Sequence, residues 1–161
     1  MFRRNAIKKD MLFFALPAFF VYSAGLVVSA WDLVRQQGSL NIHSVQNIVG
    51  LVLIFIGLTI VFVSAGTLRG FYSSTLVIRE NHQLIRHGVY RFTRHPIYLG
   101  VILVCVGVSV YASSLYGLLT MSALIPIFLN RIRIEEKMLI DEFGDAYRTY
   151  KKATSKLIPF I

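Results

Sequence analysis

The chain has 161 residues, one domain's worth, and 55% of them are hydrophobic, which excludes an ordinary soluble domain. Seventeen Lys and Arg against eight Asp and Glu give a net charge of +9. The basic residues lie between apolar blocks, so they read as topology signals and anionic-lipid contacts rather than as a nucleic-acid surface.

A basic start, Arg3, Arg4, Lys8 and Lys9, leads into the apolar run 11–30. A signal peptide opens the same way. This run, however, reaches the ~20 residues a span needs, and no small-x-small cleavage site precedes Trp31. It is therefore expected to be a retained first span, kinked at Pro17, with Trp31 as an interfacial anchor. A short loop, 32–44, carries Asp32, Arg35 and His43. A second span is expected over 45–66, where Gly50 and Gly57 share one helix face and admit close packing.

The polar segment 67–94 holds Arg69, Arg79, Arg86, Arg91 and Arg94 against one acid, Glu80. Within it, 75–78 reads as extended and Gly88-Val89-Tyr90 as a turn. The apolar stretch 97–130 is too long for one straight span. Ala112-Ser113-Ser114 is its natural break, giving a hairpin of spans 96–111 and 115–130. Gly100 and Gly107 mark a second small-residue face. The 96–111 helix is short, ~16 residues or ~24 Å. Cys105 lies inside it as a small packing residue, alone and so without a disulfide partner. Pro126 should leave the carbonyl of Ser122 unpaired. The sequence NRIRIEEKMLIDEF then continues the last helix to Gly144, a C′ residue. A short amphipathic helix, 145–152, follows, and Pro159 ends the ordered part.

The expected fold is thus all-α: a polytopic membrane protein with four transmembrane helices, the last two a hairpin, and a cytosolic C-terminal helical segment. Residues 1–161 form a single membrane-embedded domain. Of the 17 Lys and Arg, four precede span one, five lie between spans two and three, and seven follow span four. Only Arg35 falls on the other side. The positive-inside rule then places both termini and the central loop in the cytoplasm.

Chemistry concentrates in HQLIRHGVYRFTRHPIY, 82–98. Pro96 suits the first turn of a helix, so His95 stands at a helix head, where free N–H groups favour an anion. The hairpin returns Arg131 and Glu135, four apart on one helix side, to the same membrane face. Cation, carboxylate, imidazole and phenol then meet at the lipid boundary. A carboxylate can hold an ammonium or sulfonium group, and an Arg fork can hold a substrate carboxylate. With an ionised nucleophile, catalysis would rest on approach and alignment. His82, His87 and His95 have no helical ligand spacing and no completing Cys, so no metal is expected. Alone, Arg131 and Glu135 would also fit an exposed helix pair, and the basic loop would fit plain lipid contact. Tyr147 and Tyr150 read as packing or interfacial residues.

In order and spacing, His82-Gln83-Leu84-Ile85, Gly88-Val89-Tyr90, Arg94-His95-Pro96-Ile97-Tyr98-Leu99-Gly100, Arg131, Glu135-Glu136 and the tail from Phe143-Gly144 to Pro159-Phe160-Ile161 resemble the isoprenylcysteine carboxyl methyltransferases. The wider group includes phospholipid N-methyltransferases. The resemblance covers the half of the chain from His82 onward. It implies an integral membrane methyltransferase that binds S-adenosylmethionine at the cytosolic face and admits a lipophilic or lipidated substrate from the bilayer. Carried over by position, His82, Gln83, Leu84, Ile85, Tyr90, His95, Pro96, Ile97, Tyr98, Glu135 and Glu136 would bind the cofactor. Arg131 would orient the substrate carboxylate, with Arg131 and Glu135 as the catalytic pair. The chain departs from the eukaryotic enzymes at Thr75, where they have a cofactor-contacting Gln, and it lacks their extra N-terminal spans. Two other readings stand beside this one: N-methylation of an aminophospholipid, with Arg131 on phosphate, and a non-catalytic membrane scaffold.

Overall fold

The computed structural model describes residues 11–35, 45–68 and 84–159. All regular elements among them are helical. A π-helical turn, Met11–Ala15, opens into α1, Leu16–Arg35. The change of winding falls just before Pro17, whose ring and missing N–H disrupt the preceding turn. α2 is Val45–Leu68. A 3₁₀ turn, Gly88–Arg91, precedes α3, Pro96–Tyr111. The return limb is divided: α4 is Leu115–Ser122 and α5 is Leu124–Phe143. α6 is Asp145–Ala153. The expected extended piece, 75–78, lies outside the described residues.

Among the described residues, three helical stretches are long and apolar enough to cross a membrane: Leu12–Arg35, Val45–Leu68 and Leu115–Phe143. α3 is equally apolar but has only 16 residues. Their outer faces suit lipid: Phe19, Phe20, Phe55 and Phe62 are each more than 60% exposed, too much contiguous apolar surface for water.

Glycines set the closest packing. Gly50 and Gly57 of α2 face Gly107 and Gly100 of α3 in antiparallel register. A Cβ at Gly57 would stand 2.6 Å from the carbonyl oxygen of Gly100, and one at Gly107 2.8 Å from that of Gly50. Backbone against backbone leaves no flexible side chain to yield. Gly57→Leu should therefore force the helices apart and cost about 1–3 kcal/mol, read as a lower melting midpoint in detergent. Gly66→Leu, in the same helix but with nothing within 4 Å of its Cβ, should melt like the wild type. Equal melting of both variants would refute this account of the α2–α3 seam.

The hairpin turn forms where Ala112-Ser113-Ser114 interrupts the apolar run. Ser113 takes a positive φ of 51°. Ser114 caps α4 by accepting from the Gly117 N–H at 2.8 Å, and its hydroxyl donates to Asp32 Oδ2 at 2.6 Å. That second bond ties the end of α1 to the hairpin tip. The division at Ala123 follows from Pro126, which cannot donate to Ser122; the Ala123 N–H turns back to the Thr120 carbonyl at 3.2 Å. Gly144 ends α5 with φ 52°, its N–H on the Ile140 carbonyl at 2.8 Å. Cys105, Met121, Leu124 and Phe128 form the buried core of this half, and Phe14, Tyr22 and Tyr98 pack against it.

Candidate active site

His95 is the N-cap residue of α3 and Pro96 opens the helix. Both are buried, as are Thr93 and Arg94. The chain around this head is fixed by its own tail. Thr93 and Ser155 form an isolated parallel bridge. The Arg94 N–H donates to the Ser155 carbonyl at 2.9 Å, and the Ser155 N–H to the Phe92 carbonyl at 3.3 Å. Thr93 Oγ1 reaches the Leu157 carbonyl at 2.8 Å. Arg94 Nη1 donates to the carbonyls of Lys151, at 2.9 Å, and of Thr154. Tyr150 donates its phenol to the Tyr90 carbonyl at 2.6 Å. Burial pushes that phenol up to about 12 from an ordinary 10.0. The Tyr150–Tyr90 bond is therefore fully present below pH 10 and weakens as pH rises through about 12.

Glu136 is the hub beneath this strap. It is 5% exposed. Its Oε1 accepts from Arg94 Nε at 2.9 Å, and its Oε2 lies 2.7 Å from Lys151 Nζ. His95 Nε2 is 3.5 Å from Oε1 and makes no hydrogen bond, although it is buried. The two adjacent acids face different surroundings: Glu136 points inward to internal cations, whereas the Glu135 side chain is 36% exposed. Glu135 Oε2 accepts from Tyr98 Oη at 3.1 Å and lies 3.9 Å from His95 Nδ1.

Arg131 stands one turn before Glu135 and is 4% exposed. Its guanidinium lies over the Phe14 ring, 4.4 Å from the centroid. Phe14 sits 6.2 Å from Phe128, and Phe128 5.3 Å from Tyr98, centroid to centroid. An aromatic path thus joins Arg131 to Tyr98 and so to Glu135.

The structure therefore brings together His95, Tyr98, Glu135 and Glu136, with Arg131 beside them across the ring cluster. Pro96 is fully buried, Ile97 partly so, and Tyr90 is buried under the strap. Leu84 and Ile85 are half-buried in the approach to the 3₁₀ turn. His82 and Gln83 lie outside the described residues. Sequence reasoning missed Arg94, Thr93, Lys151 and Tyr150 as the frame of the site, and Phe14 as the neighbour of Arg131. The signal for Arg94 was its place directly before His95-Pro96. Nothing local marked the others.

The residues present can hold a zwitterionic, sulfonium-bearing cofactor. Glu135 Oε1, on a half-exposed side chain, has no hydrogen bond among the described residues, and a carboxylate oxygen there can receive an ammonium or sulfonium group. The buried His95 imidazole stands beside it, with Nε2 3.5 Å from Glu136 Oε1 and Nδ1 3.9 Å from Glu135 Oε2.

Comparisons with known proteins give the family and the fold. Residues 45–146 match the family described as phospholipid methyltransferase. A probable protein-S-isoprenylcysteine O-methyltransferase of Oryza sativa subsp. indica is 36% identical over 121 residues, covering 70% of this chain and 61% of that protein. Methanethiol S-methyltransferase 1 of Bradyrhizobium diazoefficiens is 44% identical over 73 residues, 45% of this chain and 25% of that protein. The solved structure of the eukaryotic intramembrane Ras methyltransferase, an isoprenylcysteine carboxyl methyltransferase, superposes with a TM-score of 0.77 at 27% identity, covering 87% of this chain and 52% of that one. This chain spans less than two thirds of the length of these relatives. The resemblance read from 82 onward is thus borne out, the all-helical membrane fold is shared with that solved enzyme, and with a family match that takes in α2 through the start of α6, the chain belongs to the phospholipid methyltransferase family.

Proposed function

We propose that this chain is a membrane methyltransferase that uses S-adenosylmethionine and methylates the carboxylate of an isoprenylcysteine-like, lipidated acceptor. The observation that carries this reading is the meeting of the α3 head with α5: Tyr98 on Glu135 at 3.1 Å, beside the buried Arg131. When bound, S-adenosylmethionine supplies an electrophilic methyl on a sulfonium, whose transfer leaves a methyl ester on the acceptor and a thioether behind. Glu135 receives the cofactor's cationic end with the oxygen that Tyr98 leaves open. Tyr98 fixes the Glu135 rotamer. His95, Pro96 and Ile97 line the same wall, with Leu84, Ile85 and Tyr90 on its approach; His82 and Gln83 join them only through the family resemblance. Arg131 receives the acceptor carboxylate on its planar fork. The carboxylate is already ionised at neutral pH, so no general base is needed and alignment dominates. Glu136, occupied by Arg94 and Lys151, positions His95 and the strap rather than touching the cofactor.

In this reading α3 completes a fourth span, and residues 1–161 act as one domain with both termini and the site at the cytoplasmic face. Support comes from charge: of all Lys and Arg only Arg35 falls between the first two spans, on the far side.

Glu135→Ala should weaken S-adenosylmethionine binding at least tenfold, the loss of a hydrogen-bonded charge partner being worth about 1.5–3 kcal/mol. Calorimetry on the detergent-purified protein measures this, and an unchanged affinity would remove Glu135 from the cofactor site. A second reading, methyl transfer to a small thiol, is favoured by the 44% identity to the methanethiol enzyme. Labelled methyl offered with an S-prenylcysteine, methanethiol and an aminophospholipid in parallel decides among acceptors. Label confined to the thiol or to the phospholipid would replace the carboxylate reading.

A further inference from the structure

The proposed reaction requires no group from the first helix, yet that helix places a residue on the substrate-binding cation. Phe13 and Phe14 are neighbours in the π-helical turn Met11–Ala15. Phe13 is 77% exposed and faces outward. Phe14 turns inward, onto the cluster of Phe128, Leu124 and Met121. The Arg131 guanidinium carbon lies 4.4 Å from its ring centroid. A π turn is rare and recurs at functional sites; here it carries one ring turned outward and the next turned inward.

A guanidinium offers two separate surfaces. Its faces stack on aromatic rings, and its edge carries the N–H fork that matches a carboxylate. A ring on one face fixes the plane of the fork and excludes water from that face without covering the edge. Arg131 is 4% exposed, so its attraction to the ring is not dissipated in solvent. An aliphatic side chain of similar size would fill the space but offer the guanidinium no ring to stack on.

We propose that Phe14 is a positioning residue for the acceptor: it sets the plane of the Arg131 guanidinium and so presents the fork to the substrate carboxylate. This inference rests on the methyltransferase reading of Arg131. It places the first helix in the acceptor site rather than only in the membrane.

The test compares Phe14→Leu with Phe14→Tyr in the full chain. Two measurements are made: acceptor KM, kcat and cofactor affinity with an N-acetylated S-prenylcysteine, and the Nε–H resonance of Arg131 in arginine-labelled protein. The resonance is assigned through Arg131→Lys. Phe14→Leu should raise the acceptor KM by up to about thirtyfold, the worth of a desolvated cation–π contact. Cofactor affinity should stay as in the wild type and kcat within about twofold, and the Arg131 resonance should move downfield as the ring current disappears. Phe14→Tyr, which keeps the aromatic face, should restore all values. A wild-type KM for Phe14→Leu, equal impairment of both variants, or an unmoved resonance each overturns the proposal. A wild type that methylates no acceptor overturns the methyltransferase reading instead, and an unmoved resonance then still excludes the Phe14–Arg131 contact.

Discussion

Glu136→Ala is expected to loosen the whole face of the protein on which the cofactor site is proposed. The Arg94–Glu136 pair is buried on both sides, at 6% side-chain exposure each. Removing one partner of such a pair costs about 3–5 kcal/mol, because the other charge is left in a poor dielectric. Arg94 is also the residue whose Nη1 holds the carbonyls of Lys151 and Thr154, so the tail strap should loosen with it. The expected result is a marked fall in melting midpoint together with loss of S-adenosylmethionine binding. Lys151→Gln should do less, since the Lys151 side chain is 42% exposed and its pair is partly screened. Glu136→Gln separates the two possible roles. As a positioning residue, Glu136 should lose stability and cofactor affinity together in that variant. If affinity fell while the melting midpoint held, Glu136 would be touching the cofactor directly and the hub role would be wrong.

The helices were legible because this sequence writes them in blocks. Apolar runs marked the spans, Ala112-Ser113-Ser114 marked the hairpin, and Gly144 marked the end of α5. The glycine faces were legible as well: residues seven apart return to one side of a helix, and Gly50 and Gly57 do meet Gly107 and Gly100. Pro126 foretold a loosened helix, which the structure resolves into a break at Ala123. The candidate site was legible only in outline. Glu135 and Glu136 are adjacent, and no local pattern says which carboxylate turns inward. That is decided by Arg94, 42 residues before Glu136, by Lys151 far beyond it, and by a tail without periodicity that folds back over the α3 head. Phe14 was hidden for the opposite reason. In an apolar run every ring reads alike, and only packing against Phe128 and Arg131 tells the inward Phe14 from the lipid-facing Phe13.

Arg131→Ala should abolish transfer to a carboxylate acceptor and spare cofactor binding. Truncating one partner of a buried, hydrogen-bonded charge pair costs about 2–5 kcal/mol or more, so kcat/KM for an S-prenylcysteine should fall by about two to three orders of magnitude. Glu135 and His95, the residues proposed for the cofactor wall, are untouched by the change, and calorimetric affinity for S-adenosylmethionine should stay within a few-fold of wild type. Arg131→Lys should recover part of the activity, because a point charge replaces the fork but cannot match both carboxylate oxygens. The same variants separate the acceptor classes. A small thiol has no carboxylate to seat, so transfer to it should fall far less in Arg131→Ala than transfer to the S-prenylcysteine. If transfer to both acceptors slowed equally while cofactor binding held, Arg131 would be serving the reaction centre as a whole. If neither slowed, the acceptor would bind elsewhere, and Arg131 would be a packing residue rather than a substrate ligand.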